Sequence, residues 1–211
     1  MKVAGLWRSR LRVLGRGLIA RARWKPEAQR EVEHEPPVRT DFRVVWRDEH
    51  LIVVDKPPHL PVTPGGLWVR GCLLHLLAPV AGSPDLAPLH RLDRLTSGLV
   101  LFSCDRRSRG RWARALQEKG GAEKTYTAVC EPRCDDLPRT ATLEHHIARS
   151  PDEHWRQIVV GGRAPNSRSE IELLATSGRL ALYRVRPCSG RKHQIRVQLA
   201  AAGLPILGDP L

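Results

Sequence analysis

From residue 38 onward the chain is patterned by short alternating or continuous apolar runs rather than by long amphipathic periods. Residues 42–46 and 51–55 are β-rich and flank Arg47-Asp48-Glu49-His50, which predicts a hairpin. Pro57, Pro58 and Pro61 then exclude regular structure. Residues 71–77 read as a short helix, and 79–88, rich in Pro, Gly, Ser and Asp, as a loop. Residues 99–103 are continuously apolar and too short for a helix, as in a buried strand. Residues 108–119 turn helical and stop at Gly120-Gly121. Further on, 125–130 alternates as a strand, 169–174 and 180–186 pair about Ser177-Gly178, and 193–202 is a helix closed by Gly203 with Pro205 following. Residues 138–168 are polar, hold His145, His146, His154 and Trp155, and fit only a substrate-facing or surface excursion between strands. The pattern predicts an α+β fold, a mixed and largely antiparallel sheet with flanking helices, and not a doubly wound parallel one.

The 211 residues divide into a basic arm and linker, 1–37, and one compact domain, 38–211. No window approaches the roughly 18 apolar residues of a membrane span. The formal net charge is +13, which points to a polyanionic partner such as nucleic acid. Its distribution is uneven: residues 1–30 hold nine Lys and Arg side chains against the single acid Glu27. Leu6, Leu11, Leu14 and Leu18 recur among these cations at helical spacing, so the arm reads either as a solvated tail or as a basic amphipathic helix against an RNA backbone. Glu31 to Pro37, with Pro36-Pro37, is a linker. Five cysteines, an odd number, with no recognisable signal peptide argue for reduced thiols and a cytoplasmic setting. The Arg-rich start leaves mitochondrial import as the alternative.

Two clusters carry candidate chemistry. The first is His90-Arg91-Leu92-Asp93-Arg94-Leu95-Thr96-Ser97-Gly98, a polar loop delivered into the buried strand 99–103. A carboxylate beside a buried strand needs a guanidinium partner, and such pairing keeps it ionised and nucleophilic. A tight Asx turn at Asp93, or a Ser-His-Asp triad of Ser97, His90 and Asp93, are the other readings. The second cluster, Ser189-Gly190-Arg191-Lys192-His193-Gln194-Ile195-Arg196, places cations and amides at a helix start, where an anion is favoured. Arg191 and Arg196, five apart, project from different faces. Cys130 and Cys134, with His145-His146 downstream, give a spacing unlike the usual zinc knuckle, and Cys130 reads as readily as a buried small hydrophobe.

The two clusters together resemble a known family. His90-Arg91-Leu92-Asp93-Arg94-Leu95-Thr96-Ser97-Gly98-Leu99 is similar to the active-site motif of the RluA-type pseudouridine synthases. In order and distance, Leu51 to Pro57 resembles the family's early strand ending in Lys-Pro, and Glu123-Lys124-Thr125-Tyr126 its Lys-x-Tyr motif. Gly190 to Arg196, with Gly203-Leu204-Pro205-Ile206-Leu207-Gly208-Asp209, resembles its closing motif, and the four segments cover roughly residues 40–211. The resemblance implies a catalytic domain with its cleft across the sheet. It implies Asp93 as the catalytic aspartate, Tyr126 lying against the target base, Arg196 pairing with the catalytic carboxylate, Arg91 taking the place of the uridine that leaves its stack, and Lys124 supporting the pocket. The implied reaction turns uridine into pseudouridine in structured RNA, ribosomal before transfer RNA, by a monomer that needs neither cofactor nor metal. The family's pattern continues past Gly-Asp-Pro-Leu, so the resemblance describes a C-terminally truncated member, and a non-catalytic RNA-binding protein is the alternative to the enzyme. Deleting residues 1–30 is expected to weaken RNA binding and flatten its salt dependence through lost counterion release, while sparing the modified site. Filter binding across a salt series, with pseudouridine mapping of the product, checks both halves.

Overall fold

The computed structural model describes residues 34–116, 121–133 and 135–210, so the basic arm, Cys134 and the expected stop at Gly120 lie outside the described residues. The chain divides into two compact units, one ending at Ala122 and one starting at Glu123.

The first unit is built on a four-stranded antiparallel sheet of order β1-β2-β4-β3, from β1 (Arg43–Arg47), β2 (Leu51–Lys56), β3 (Ala87–Pro88) and β4 (Gly98–Ser103). The expected first hairpin is present: the Asp48 carboxylate accepts the N–H groups of His50 and Leu51, closing the turn. Alternation along β2 puts Ile52, Val54 and Lys56 on one buried face, where Val100 and Phe102 of β4 join the core. Helix α1 (Leu73–Ala81) buries Leu73, Leu74 and Leu77. It runs on through Pro79, where the sequence indicated a loop from 79 to 88. Proline removes only one donor in the last turn, Gly82 closes the helix in the left-handed region at φ +62°, and the Arg47 guanidinium donates to the terminal carbonyls of Val80 and Ala81. Helix α2 (Arg109–Ala115) follows, with the Asp105 carboxylate accepting the N–H groups of Arg107 and Ser108.

The second unit has its own four-stranded antiparallel sheet, order β5-β10-β9-β6, from β5 (Tyr126–Cys130), β6 (Thr140–His145), β9 (Ser167–Ser177) and β10 (Leu180–Pro187). Strands β9 and β10 form the expected hairpin, turning at Gly178-Arg179 with Gly178 at φ +56°. The polar stretch 138–168 is more ordered than its pattern indicated. It supplies β6 on the sheet edge and a separate hairpin of β7 (Ile147–Arg149) and β8 (Gln157–Val159). In such solvated strands polar residues dilute the alternation, and pairing across the sheet decides the structure. The core joins Ala128, Cys130, Leu143, Ile171, Tyr183, Val185, Leu199 and Leu204. Cys130 thus behaves as the buried hydrophobe of the two readings, its thiol pushed up to about 11 by burial.

Every pairing among the named strands is antiparallel, and with α1, α2 and α3 (Gln194–Ala201) the class is α+β, as expected. Helix α3 is joined to its sheet by side-chain amides. Gln198, fully buried, donates to the Leu143 carbonyl (2.9 Å) and the Ser167 hydroxyl (3.2 Å) and accepts from Ser169 (2.7 Å). One turn earlier Gln194 donates to the Arg168 carbonyl and the Ser169 hydroxyl and accepts from Ser189 and the Arg191 N–H. Replacing Gln198→Leu strands buried donors and acceptors on β6 and β9, and we expect a loss of about 2–4 kcal/mol. Guanidinium unfolding measures it, and a loss below about 1 kcal/mol would contradict the role given to this network.

Candidate active site

In the first unit, the segment from His90 to Gly98 crosses from β3 to the central strand β4 and is fixed at both ends. At its start Leu89 N–H donates to Leu101 O (2.8 Å), and His90 Nε2 accepts the Leu101 N–H (3.2 Å). At its end Gly98 pairs across the sheet with Lys56 and adopts φ +125°, a conformation that L side chains rarely take. Between them Thr96 N–H donates to Asp93 O (3.1 Å), a tight turn, while Leu92 is buried beneath. Arg91 is exposed at the rim and Asp93 is half-buried. The backbone bond to His90 occupies the nitrogen that a triad base would need, which removes the Ser-His-Asp reading.

Beneath the loop lies Lys56, fully buried, with its ammonium donating to the carbonyls of Pro57 (2.9 Å), Leu60 (2.8 Å) and Arg94 (3.3 Å). Burial pulls it down to about 8; the Asp93 carboxylate nearby opposes that shift and Arg94 adds to it. Lys56 thus gives Asp93 a buried cation, which sequence reasoning had sought only in arginines. The signal was present, since period two along β2 aligns Lys56 with Ile52 and Val54 on the inward face. Arg94 is held at its other end too, its guanidinium 4.7 Å from the centre of the Trp68 ring. The Trp68 indole N–H donates to Pro36 O (3.1 Å), and the Glu35 carboxylate accepts the N–H groups of Arg70 (2.7 Å) and Gly71 (2.6 Å). Residues 35 and 36, assigned to the linker, therefore brace the loop that flanks Arg94.

The second unit holds Lys124, Tyr126 and Arg196. Tyr126 opens β5, opposite Val185 of β10, half-buried against the core. Lys124, two residues earlier, is half-buried and its ammonium is pulled below the usual lysine range by that burial. Arg196 projects from α3 between the two docking glutamines. It makes a bidentate pair with Asp209, Nε to Oδ2 at 2.6 Å and Nη2 to Oδ1 at 2.7 Å, both side chains nearly buried. Asp209 is brought there by the segment after α3: Leu204 is buried, Glu131 N–H donates to Pro205 O, and Leu207 N–H donates to Val129 O. Arg191, in contrast, is exposed, so the two arginines take different faces as their spacing indicates. At the helix start expected to favour an anion, Gln194's own amide oxygen accepts the Arg191 N–H.

The Asp93 carboxylate thus lies near a buried ammonium, on a loop that leads into a central antiparallel strand. Residues 50–201 match the family described as RNA pseudouridylate synthase, and the chain belongs to that family. It is 33% identical over 179 residues to the human pseudouridylate synthase RPUSD2, covering 84% of this chain and 32% of the relative. It is 31% identical over 191 residues to the ribosomal large subunit pseudouridine synthase D of Escherichia coli, covering 88% and 56%. The chain thus spans about a third to just over half of these relatives' length. In fold it is similar to the solved human RNA pseudouridylate synthase domain containing 1, with TM-score 0.66 at 22% identity over 83% of this chain and 71% of that one.

The lowered value of Lys56 has a thermodynamic consequence. Its folded-state value, about 8, lies below the 10.5 of the free side chain, so between those limits the unfolded chain binds more protons. The stability cost of the buried charge is therefore complete below about 8 and is relieved as pH rises toward 10.5. Wild type is expected to gain stability relative to Lys56→Met between pH 8 and 10.5, measured as the difference in guanidinium midpoint at each pH. A pH-independent difference would overturn it.

Proposed function

We propose that this chain isomerises uridine to pseudouridine in structured RNA, with Asp93 as the nucleophile. The observation that carries this reading is the Asp93 carboxylate near the buried ammonium of Lys56, which donates to the Arg94 carbonyl of the same loop, in a chain of this family. The bond from the ribose carbon to the base nitrogen breaks, the uracil turns, and a carbon–carbon bond forms in its place; a proton leaves the ring carbon and one returns to the nitrogen. Atoms and electrons balance within the substrate. A carboxylate serves this sequence as a nucleophile, toward the ribose carbon or the uracil ring, and leaves again unchanged.

The target base must first leave its stack, at a cost of a few kcal/mol, and an aromatic surface worth about 1–3 kcal/mol offsets part of that. Tyr126 is assigned this surface, and exposed Arg91 the space that the base vacates. Arg196 is assigned to the catalytic carboxylate, with Asp209 orienting its guanidinium, and Lys124 to the pocket wall. Ribosomal RNA is the favoured substrate, supported by the name of the Escherichia coli relative; the odd cysteine count supports a cytoplasmic setting, and the protein is read as a monomer.

Pseudouridine mapping of total RNA with and without the gene names the RNA and its position. Asp93→Asn is expected to abolish that modification while leaving RNA affinity within about threefold of wild type, because the side chain keeps its size. Undiminished modification by Asp93→Asn refutes the mechanism. RNA binding by the wild type without any product refutes the enzyme.

A further inference from the structure

The connection from β2 to α1 supplies no reacting group, yet it meets the residue next to Asp93. At 65–68 it folds into a tight turn: Gly65 N–H donates to Trp68 O (2.8 Å), Trp68 N–H donates to Gly65 O (3.2 Å), and Gly66 takes φ +61°. The same connection is pinned to the first residues of α1, since Leu73 N–H donates to Pro61 O (2.8 Å) and Leu74 N–H to Val62 O (3.0 Å). Trp68 is therefore a large ring on a fixed mount, half-buried rather than swinging in water.

Three neighbours decide where that ring lies. At its edge the indole N–H donates to Pro36 O (3.1 Å). Beside it Gly71 leaves no room for a side chain: a Cβ there would stand 3.0 Å from the Glu35 carboxylate and 3.4 Å from Cδ1 of the ring. The Glu35 carboxylate is itself held by the Arg70 and Gly71 N–H groups, so this wall does not give. On its face the ring meets the Arg94 guanidinium, 4.7 Å from the ring centre. Residue 94 is held at both ends, its side chain by Trp68 and its carbonyl by the Lys56 ammonium (3.3 Å). Asp93 is its neighbour in the chain, and the Asp93 carbonyl accepts the Thr96 N–H (3.1 Å). A planar peptide joins 93 to 94, so fixing both residues leaves the backbone that carries the carboxylate little freedom to rotate.

We propose that Trp68 is a positioning residue: its ring holds the Arg94 guanidinium and thereby fixes the backbone that aims the Asp93 carboxylate. The inference rests on the nucleophilic role proposed above for Asp93 and adds what aims it. A misaimed carboxylate slows bond making and leaves RNA contacts elsewhere intact, so the effect falls on turnover and not on affinity. The grip is made by the ring face, which phenylalanine keeps and leucine lacks.

The test compares Trp68→Leu and Trp68→Phe with wild type in the full chain. Amide exchange followed by mass spectrometry reads the loop: Trp68→Leu is expected to speed exchange in peptides spanning 92–97 about fivefold and Trp68→Phe less than about twofold, with β2 unchanged in both. Turnover on the RNA identified by pseudouridine mapping reads the consequence. There Trp68→Leu is expected to lower kcat about tenfold with KM within about twofold, while Trp68→Phe keeps kcat within about threefold of wild type. Unchanged loop exchange in Trp68→Leu, faster exchange in β2 as well, or a Trp68→Phe variant as impaired as Trp68→Leu overturns the proposal. So does a loosened loop with kcat unchanged, or a loss confined to KM. A wild-type chain that makes no pseudouridine refutes the catalytic reading, and the exchange measurement then still decides whether Trp68 fixes the loop.

Discussion

A buried ammonium holds the first unit's loop from His90 to Gly98 in place. Lys56 has no access to water, so its three protons must be met by protein, and they are met by carbonyls from two directions: Pro57 and Leu60 on its own side of the chain, Arg94 on the loop. Strand end, proline turn and loop therefore cannot separate without exposing an unsatisfied charge. The cost of desolvation, visible in the lowered value of the lysine, is part of the device, because the charge that is expensive to bury is also the one that faces Asp93. A neutral residue at 56 would fill the same space and leave the loop without its common donor.

The second unit solves the corresponding problem with neutral groups. Gln194 and Gln198 lie four apart, on one face of α3, and each spends both ends of its amide on β9 and its neighbours. Residue 196, midway between them, points off that face, which is why Arg196 can reach Asp209 rather than the sheet. Neutral amides suit a helix that must be docked without importing charge into its core. A nearly buried charge pair is kept for the guanidinium that the family resemblance makes important.

Much of this was legible in the sequence because it is local. Both hairpins, the buried strand ending the loop 90–98 and the helix closed by Gly203 follow from turn chemistry and from runs of apolar residues. That loop itself was found as a cluster of contiguous residues. What escaped was decided at a distance. Glu35 and Pro36 look like linker because nothing near them in the chain explains them; their partners are Arg70, Gly71 and Trp68. Strands β6 to β8 escaped because their polar alternation becomes meaningful only when β9 lies beside β6 and β8 beside β7. Helix α1 runs past Pro79 with Arg47, on a strand far back in the chain, donating to its terminal carbonyls.

Net charge illustrates the same division between counting and placement. The count of +13 points to a polyanion, but a cation contributes to counterion release only in so far as no carboxylate already compensates it. On the outer face of β6, β9 and β10 the arginines face glutamates across strands, so that face is nearly self-compensated and adds little field. Around the β7–β8 hairpin, Lys192 and Arg191 meet carbonyls, and their charge stays available at a fixed position. Two surfaces of one small unit thus carry cations in different settings, one compensated by carboxylates and one held by carbonyls. Which side chains a cation leans on decides the electrostatics, and this can be read only once the strands are in register.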